Sequence, residues 1–147
     1  MNRRTLLATA IFCGILAPRS PLLAAAPRLR LVKDPNCGCC EGHAAYLEQN
    51  GFEVTIEESS DLNSVRRQEG IPDQLAGCHT IFVDGYIVEG HVPAAAIRKL
   101  LNERPAIRGI SLPGMPPGSP GMNGEKEGAL VVLEIGQSTM PRPYWTE

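Results

Sequence analysis

Leu29-Arg30-Leu31-Val32-Lys33-Asp34-Pro35-Asn36-Cys37-Gly38-Cys39-Cys40 runs from a short apolar stretch into three cysteines within four residues. Leu29 to Val32 reads as a strand. Cys40 to Asn50 reads as a helix, with Ala44, Tyr46 and Leu47 as candidate buried positions and Gly51 as the stop signal. A cysteine loop between a strand and a helix N-terminus has a chemical use: the terminal N–H groups and the helix dipole stabilise a thiolate. Cys37 and Cys40 have the spacing of a CxxC pair, and Cys39 is an addition to it. No core needs thiols at that density. Thiolates side by side repel, so they persist together mainly when oxidised or when bound to a soft metal.

The pattern continues outward in alternation. Phe52 to Ile56 alternates apolar and polar residues and predicts a strand. Asp61 caps a second helix running to about Glu69, ended by Gly70-Ile71-Pro72. Thr80 to Val83, Asp84-Gly85 and Tyr86 to Val88 predict a hairpin with a two-residue turn. Pro93 opens a third helix through Ile97, Leu100 and Leu101, ending before Pro105. The order β-α-β-α-β-β-α is the core of the thioredoxin and glutaredoxin folds, so the fold class is α/β and thioredoxin-like. The cysteine loop falls where those folds place theirs. From Gly109 to Met122 the composition is that of a Pro/Gly/Met loop. Ala129 to Ile135 predicts one extra strand, and the tail Met140 to Trp145 shows no usable periodicity.

The N-terminal residues concern export. Asn2-Arg3-Arg4 is a basic start, Thr5 to Ala17 is apolar, and Leu22 to Ala26 ends in small residues, as in a secretory signal. The apolar run falls short of the about 20 residues needed to span a bilayer. Arg3-Arg4 before Thr5-Leu6-Leu7 also fits a twin-arginine signal. Residues 1–26 are therefore read as an export signal and 27–147 as a single metal-binding domain, with a periplasmic location. Without Arg3, Arg4 and Arg19, 11 basic residues face 16 acidic ones, a net charge of −5. That balance argues against nucleic acid as a partner, and no second apolar stretch suggests a stable membrane anchor. Thirteen prolines and few aromatics make a modest core, which a cross-link or metal would help.

Four cysteines remain after the signal: Cys37, Cys39, Cys40 and Cys78. One reading is two disulfides, Cys37–Cys40 and Cys39–Cys78, as in many exported proteins. The other is a metal site. Cys78-His79 precedes the third strand, where thioredoxin-like folds carry a loop facing the CxxC and usually a cis-proline. His79 takes that proline's place, which sets a fourth sulfur against the cluster. His91 is a candidate metal ligand against a surface or capping role. His43 follows the cluster by one helical turn, and its expected place is exposed helix surface. Met115 and Met122 lie seven residues apart among prolines and glycines, and thioether is a soft neutral ligand suited to Cu(I). Four thiolates bring four negative charges. A single Zn²⁺ leaves an excess of about two, whereas several Cu⁺ ions bridged by shared thiolates neutralise the set, so the pattern favours copper, single or multinuclear, over zinc.

Four motifs in order then carry a family resemblance: Asp34-Pro35-Asn36-Cys37-Gly38-Cys39-Cys40, Gly77-Cys78-His79-Thr80, Val88-Glu89-Gly90-His91-Val92-Pro93-Ala94, and Leu112-Pro113-Gly114-Met115-Pro116 with Gly118-Ser119-Pro120-Gly121-Met122. Together they resemble the CopG-type copper-resistance, metal-binding family, which is thioredoxin-like. The resemblance implies an exported protein whose partners are copper ions and other periplasmic copper-handling proteins. It implies a copper–thiolate cluster on Cys37, Cys39, Cys40 and Cys78, with His91, Met115 and Met122 as further ligands, and copper binding or a change between Cu(I) and Cu(II). The family pattern has tryptophan three residues after the cysteine loop, where this chain has His43. Two other functions fit parts of the sequence: a thiol–disulfide oxidoreductase using Cys37 and Cys40, and a structural zinc module.

Overall fold

The first strand, β1 (Arg28–Lys33), buries Leu29, Leu31 and Val32 and leaves Arg28 and Arg30 in solvent. This computed structural model describes residues 25–136 and 140–147. Residues 1–24, with nearly all of the export segment, lie outside the described residues. After β1 come α1 (Gly38–Gln49), β2 (Glu53–Glu58), α2 (Leu62–Gln68), β3 (His79–Val83), β4 (Tyr86–Glu89), α3 (Ala94–Glu103), β5 (Gly109–Ser111), β6 (Val131–Ile135) and β7 (Pro143–Thr146). No helix among the described residues is long and apolar enough to cross a membrane.

The local signals act where the sequence places them. The Asp61 side chain accepts from Ser64 N at 2.9 Å and caps α2. Asp84 and Gly85 both adopt positive φ, 49° and 83°, as a tight two-residue hairpin turn requires. Pro93 precedes α3, and Arg104 closes it in the left-handed region.

One seven-stranded sheet has the order β2-β1-β3-β4-β5-β6-β7. β1 is parallel to β2 and antiparallel to β3, β3 is antiparallel to β4, and β4 is parallel to β5. The first four strands with α1, α2 and α3 are the thioredoxin-like core. Beyond it the sequence predicts one strand, and the structure has three. β5 lies inside the stretch read as loop: its Gly109 sits so close to Ile87 O that a Cβ there would lie 1.9 Å from it. The aperiodic tail supplies β7, which pairs β6 through Val132 and Trp145.

The pairing decides where the chemistry gathers. Lys33, the last residue of β1, stands opposite His79, the first of β3. Glu89, the last of β4, stands opposite Thr80 on one side and Ser111, the last of β5, on the other. The cysteine loop, Cys78, His91 and the loop from Leu112 therefore all leave the sheet at the same end. The core under them joins Leu31, Ile81, Val88 and Ile110 from the strands to Leu47 and Ile97 from the helices.

Candidate metal centre

Asp34 shapes the cysteine loop. Its Oδ1 accepts from Asn36 N at 2.8 Å and its carbonyl from Cys37 N at 3.0 Å, which turns the chain into α1. Lys33 lies beneath with its side chain buried. Its Nζ donates to the carbonyls of Asp34 and Pro35 at 3.2 and 3.3 Å and lies 3.4 Å from Glu41 Oε1. A buried ammonium thus ties the loop to the strand it leaves.

Four sulfurs close a ring. Cys37 and Cys40 form a disulfide with Cα atoms 5.6 Å apart. Cys37 Sγ lies 3.6 Å from Cys39 Sγ, Cys39 Sγ lies 3.9 Å from Cys78 Sγ, and Cys78 Sγ lies 3.6 Å from Cys40 Sγ. All four can offer donor atoms within 4.8 Å of one another. Of the two readings of the cysteines, the Cys37–Cys40 disulfide is present, whereas Cys39 and Cys78 carry free thiols. Burial first, then the Cys39 thiol beside it, pushes the Cys78 pKa up to about 12. A cation bound to the thiolate offsets the cost of burying its charge.

Cys78 is held by a buried ion pair. Glu89 is fully buried, and its Oε1 accepts from Arg66 Nε at 2.7 Å and Gly77 N at 2.9 Å. Its Oε2 accepts from Thr80 Oγ1 at 2.6 Å, and Arg66 Nη2 donates to Gly77 O at 2.6 Å. Each charged group has hydrogen-bonded partners, the condition for burying such a pair. A groove of about 290 Å³ lined by Asp34, Asp61, Asn63, Arg66 and Cys78 opens beside this clamp. A larger recess of about 440 Å³, between Ile107, Arg108, Glu134 and Arg142, has no cysteine or histidine in its lining.

All three histidines of the chain meet on the other side of Cys78. The ring centroids of His43, His79 and His91 are each 4.9 Å from the other two, and all three residues are buried. His91 Nε2 lies 2.9 Å and His79 Nδ1 3.2 Å from Cys78 Sγ. His43 Nδ1 lies 2.8 Å from His79 Nε2. Burial, and then the neighbouring His91, lowers the His43 pKa to about 3; burial also lowers His79 well below its ordinary value and lowers His91. Three neutral imidazoles offer lone pairs rather than charge at neutral pH.

The loop after β5 covers this side. His91 Nδ1 donates to Pro120 O at 2.7 Å, and Gly114 N donates to Ala76 O at 3.1 Å. Gly42 of α1 and Gly121 of the loop touch backbone to backbone: a Cβ on Gly121 would lie 2.3 Å from His43 N, and one on Gly42 2.7 Å from Gly121 O.

The structure therefore gathers Cys37, Cys39, Cys40, Cys78 and His91 at one place. Met115 and Met122 ride the covering loop. Met115 is 56 % exposed, and Met122, next to Gly121, is half-buried. His43, expected on exposed helix surface, is fully buried. The reason is that His43 shares the inward face of α1 with Cys40, Ala44 and Leu47, so its ring lies against His79 and Val92 O. A signal for it exists in the sequence: Cys40, His43, Ala44 and Leu47 are spaced i, i+3, i+4, i+7, the interval of one buried helical face.

A family model described as "Protein of unknown function, DUF411" matches residues 75–122, the segment with Cys78, His79, His91 and both loop methionines. Two solved structures named copper resistance protein CopG, forms 2 and 1, are each 40% identical to this chain. Form 2 has a TM-score of 0.76 and covers 83% of this chain and 98% of its own. Form 1 has a TM-score of 0.75 with 82% and 96% covered. The chain belongs to the CopG-type copper-resistance family. No curated protein matches the sequence. The CopG likeness covers 83% of the chain, well beyond the segment that the family model matches.

Proposed function

We propose that this protein is an exported, periplasmic copper-binding protein serving copper tolerance or trafficking. In its reduced form Cys37, Cys39, Cys40 and Cys78 hold Cu(I). The observation that carries this is the sulfur ring: Cys39 lies 3.6 Å from Cys37 and 3.9 Å from Cys78. Sulfurs at those separations can share ions, and shared thiolates let several Cu⁺ balance the charge of four thiolates. His91 and the thioethers of Met115 and Met122 complete and close the site. The names of the 40%-identical CopG structures support copper as the metal.

A change of copper oxidation state follows from the same residues. Closing the Cys37–Cys40 disulfide from two thiols releases two electrons and two protons. Two Cu(II) ions accept those electrons and become two Cu(I). An anaerobic Cu(II) addition to reduced protein tests this. Formation of one disulfide per two Cu(I) supports it, and Cu(II) that persists beside intact thiols contradicts it.

The disulfide also favours a second reading, thiol–disulfide exchange with an external substrate through Cys37. Brisk insulin reduction abolished by Cys37→Ser, in protein that retains no metal, would establish that reading. Elemental analysis of anaerobically purified protein separates copper from a structural zinc site.

A further inference from the structure

Lys33 ends β1 on the face of Leu29 and Leu31, since alternate strand residues share a face, and that face packs on α1. Its side chain is 1% exposed. A buried ammonium is costly unless its hydrogens find acceptors. Three are close: the carbonyls of Asp34 and Pro35 at 3.2 and 3.3 Å, and Glu41 Oε1 at 3.4 Å. Glu58 Oε1 on β2 is farther, at 3.8 Å. Glu41 belongs to the first turn of α1. A helix N-terminus carries partial positive charge, so α1 opposes a cation here and Lys33 depends on these partners.

The partners flank the cysteines. Asp34 and Pro35 precede Cys37, and Glu41 follows Cys40, so one ammonium joins both sides of the cysteine loop. The Cys37–Cys40 disulfide joins the same two sides. Local support for the turn between them is thin. Cys37 is the N-cap of α1 and makes no side-chain capping hydrogen bond, and Gly38, a poor helix former, opens the helix. Cys39 and Cys40 ride on that uncapped turn. Once the disulfide opens, as a four-thiol ring requires, Lys33 still spans it.

We propose that Lys33 is a positioning residue for the sulfur ring: its buried ammonium ties Asp34-Pro35 to Glu41 and holds the first turn of α1 in place while the Cys37–Cys40 disulfide is open. This role rests on the copper reading for what the reduced ring holds, and not for the tie itself. The tie and the disulfide close one loop, so each favours the other, and linkage makes that help reciprocal. Removing the tie therefore weakens disulfide closure, and in the same way weakens Cu(I) binding by the reduced thiols.

Metal-free protein equilibrated with reduced and oxidised dithiothreitol reads the tie directly. As the Cys37–Cys40 bond forms, the two thiols pass two electrons and two protons to the oxidised reagent, which opens to its dithiol. Lys33→Met keeps the buried stem and removes the ammonium. Its constant for closing the disulfide is expected to fall about tenfold, the worth of one hydrogen bond to a charged group, which raises the midpoint potential by about 30 mV. A lysine acting only through its field gives the opposite sign, because losing a cation disfavours thiolates and so favours the disulfide. Glu41→Ala, which cuts one side of the tie at an exposed carboxylate, lowers the constant about two- to fivefold, and Glu58→Ala, outside the loop, leaves it unchanged. Chelator competition with reduced Lys33→Met shows Cu(I) affinity down about tenfold. A closing constant unchanged or raised in Lys33→Met, Glu58→Ala acting as strongly as Glu41→Ala, or Cu(I) held equally well by Lys33→Met and wild type overturns the proposal. Should Lys33→Met fail to fold, the Glu41 and Glu58 variants decide. Wild type that binds no Cu(I), with the closing constant still lowered in Lys33→Met, would sink the copper reading alone and leave the tie standing.

Discussion

His43 Nδ1 and His79 Nε2 lie 2.8 Å apart in a buried contact that joins the first helix to the first residue of β3. The contact links α1, which starts at the cysteine loop, to the strand that follows Cys78. It also sets a pH dependence. The unfolded His43 binds a proton below about pH 6.5, whereas the folded one stays neutral until about 3. Unfolding therefore takes up a proton between those values. Stability of the metal-free protein is flat above pH 6.5 and falls as pH drops toward 3, by on the order of 4 kcal/mol from His43 alone. Denaturant midpoints measured from pH 7.5 to 3.5 check this; a midpoint unchanged over that range contradicts it.

The Arg66–Glu89 pair predicts a large cost for a small change. Arg66→Ala leaves the fully buried Glu89 carboxylate without its cation. The expected loss is about 3–5 kcal/mol in urea denaturation. The same change releases the Gly77 carbonyl, so Cys78 reacts faster with alkylating reagents. A loss under about 1 kcal/mol would show that the pair acts as a surface ion pair does.

Gly121 tests the loop as a cover. Its φ is 79°, and a Cβ would meet His43 N at 2.3 Å. Gly121→Ala is expected to lift the loop from α1, cost about 1–3 kcal/mol and expose His91 and Cys78. Hydrogen exchange at residues 113–122 rises while that of β1 and β3 does not. Unchanged exchange in the loop would show that it docks through other contacts.

Cys78 predicts proton release. Its thiol, with a pKa of about 12, is protonated at neutral pH, so a metal ion must displace the hydrogen. In the reduced protein, apparent Cu(I) affinity rises with pH between about 6.5 and 8, less steeply in Cys78→Ser. A pH dependence unchanged by Cys78→Ser would mean that Cys78 is not a ligand.

Much of this arrangement is legible in the sequence. Local chemistry marks the cysteine loop, the Asp61 cap and the Asp84-Gly85 turn, so the strand and helix order up to α3 could be read from the chain. Cys78 could be placed because topology alone brings the start of β3 to the end of β1. β5 and β7 could not: three residues with Gly109 at the centre of a close approach, and a proline-flanked tail, become strands only because β4 and β6 offer edges. His43 was misplaced for a related reason. Its ring is buried against His79 and Val92 O, and although its spacing with Cys40, Ala44 and Leu47 puts it on the inward face of α1, a histidine there reads as polar until its buried partners are known. Glu89 lies within one of the four motifs, but the sequence does not show its pairing with Arg66, since a carboxylate in a strand reads as exposed until its partner is known.

The proposed Cu(I) site is shared among four sulfurs, Cys39 among them. Anaerobic Cu(I) titration of the reduced protein against a competing chelator tests it most directly, with Cys39→Ser beside the wild type. The wild type is expected to bind more than one Cu(I) per chain, with loss of that capacity in Cys39→Ser. No bound Cu(I), or a single ion held equally well without Cys39, would contradict it.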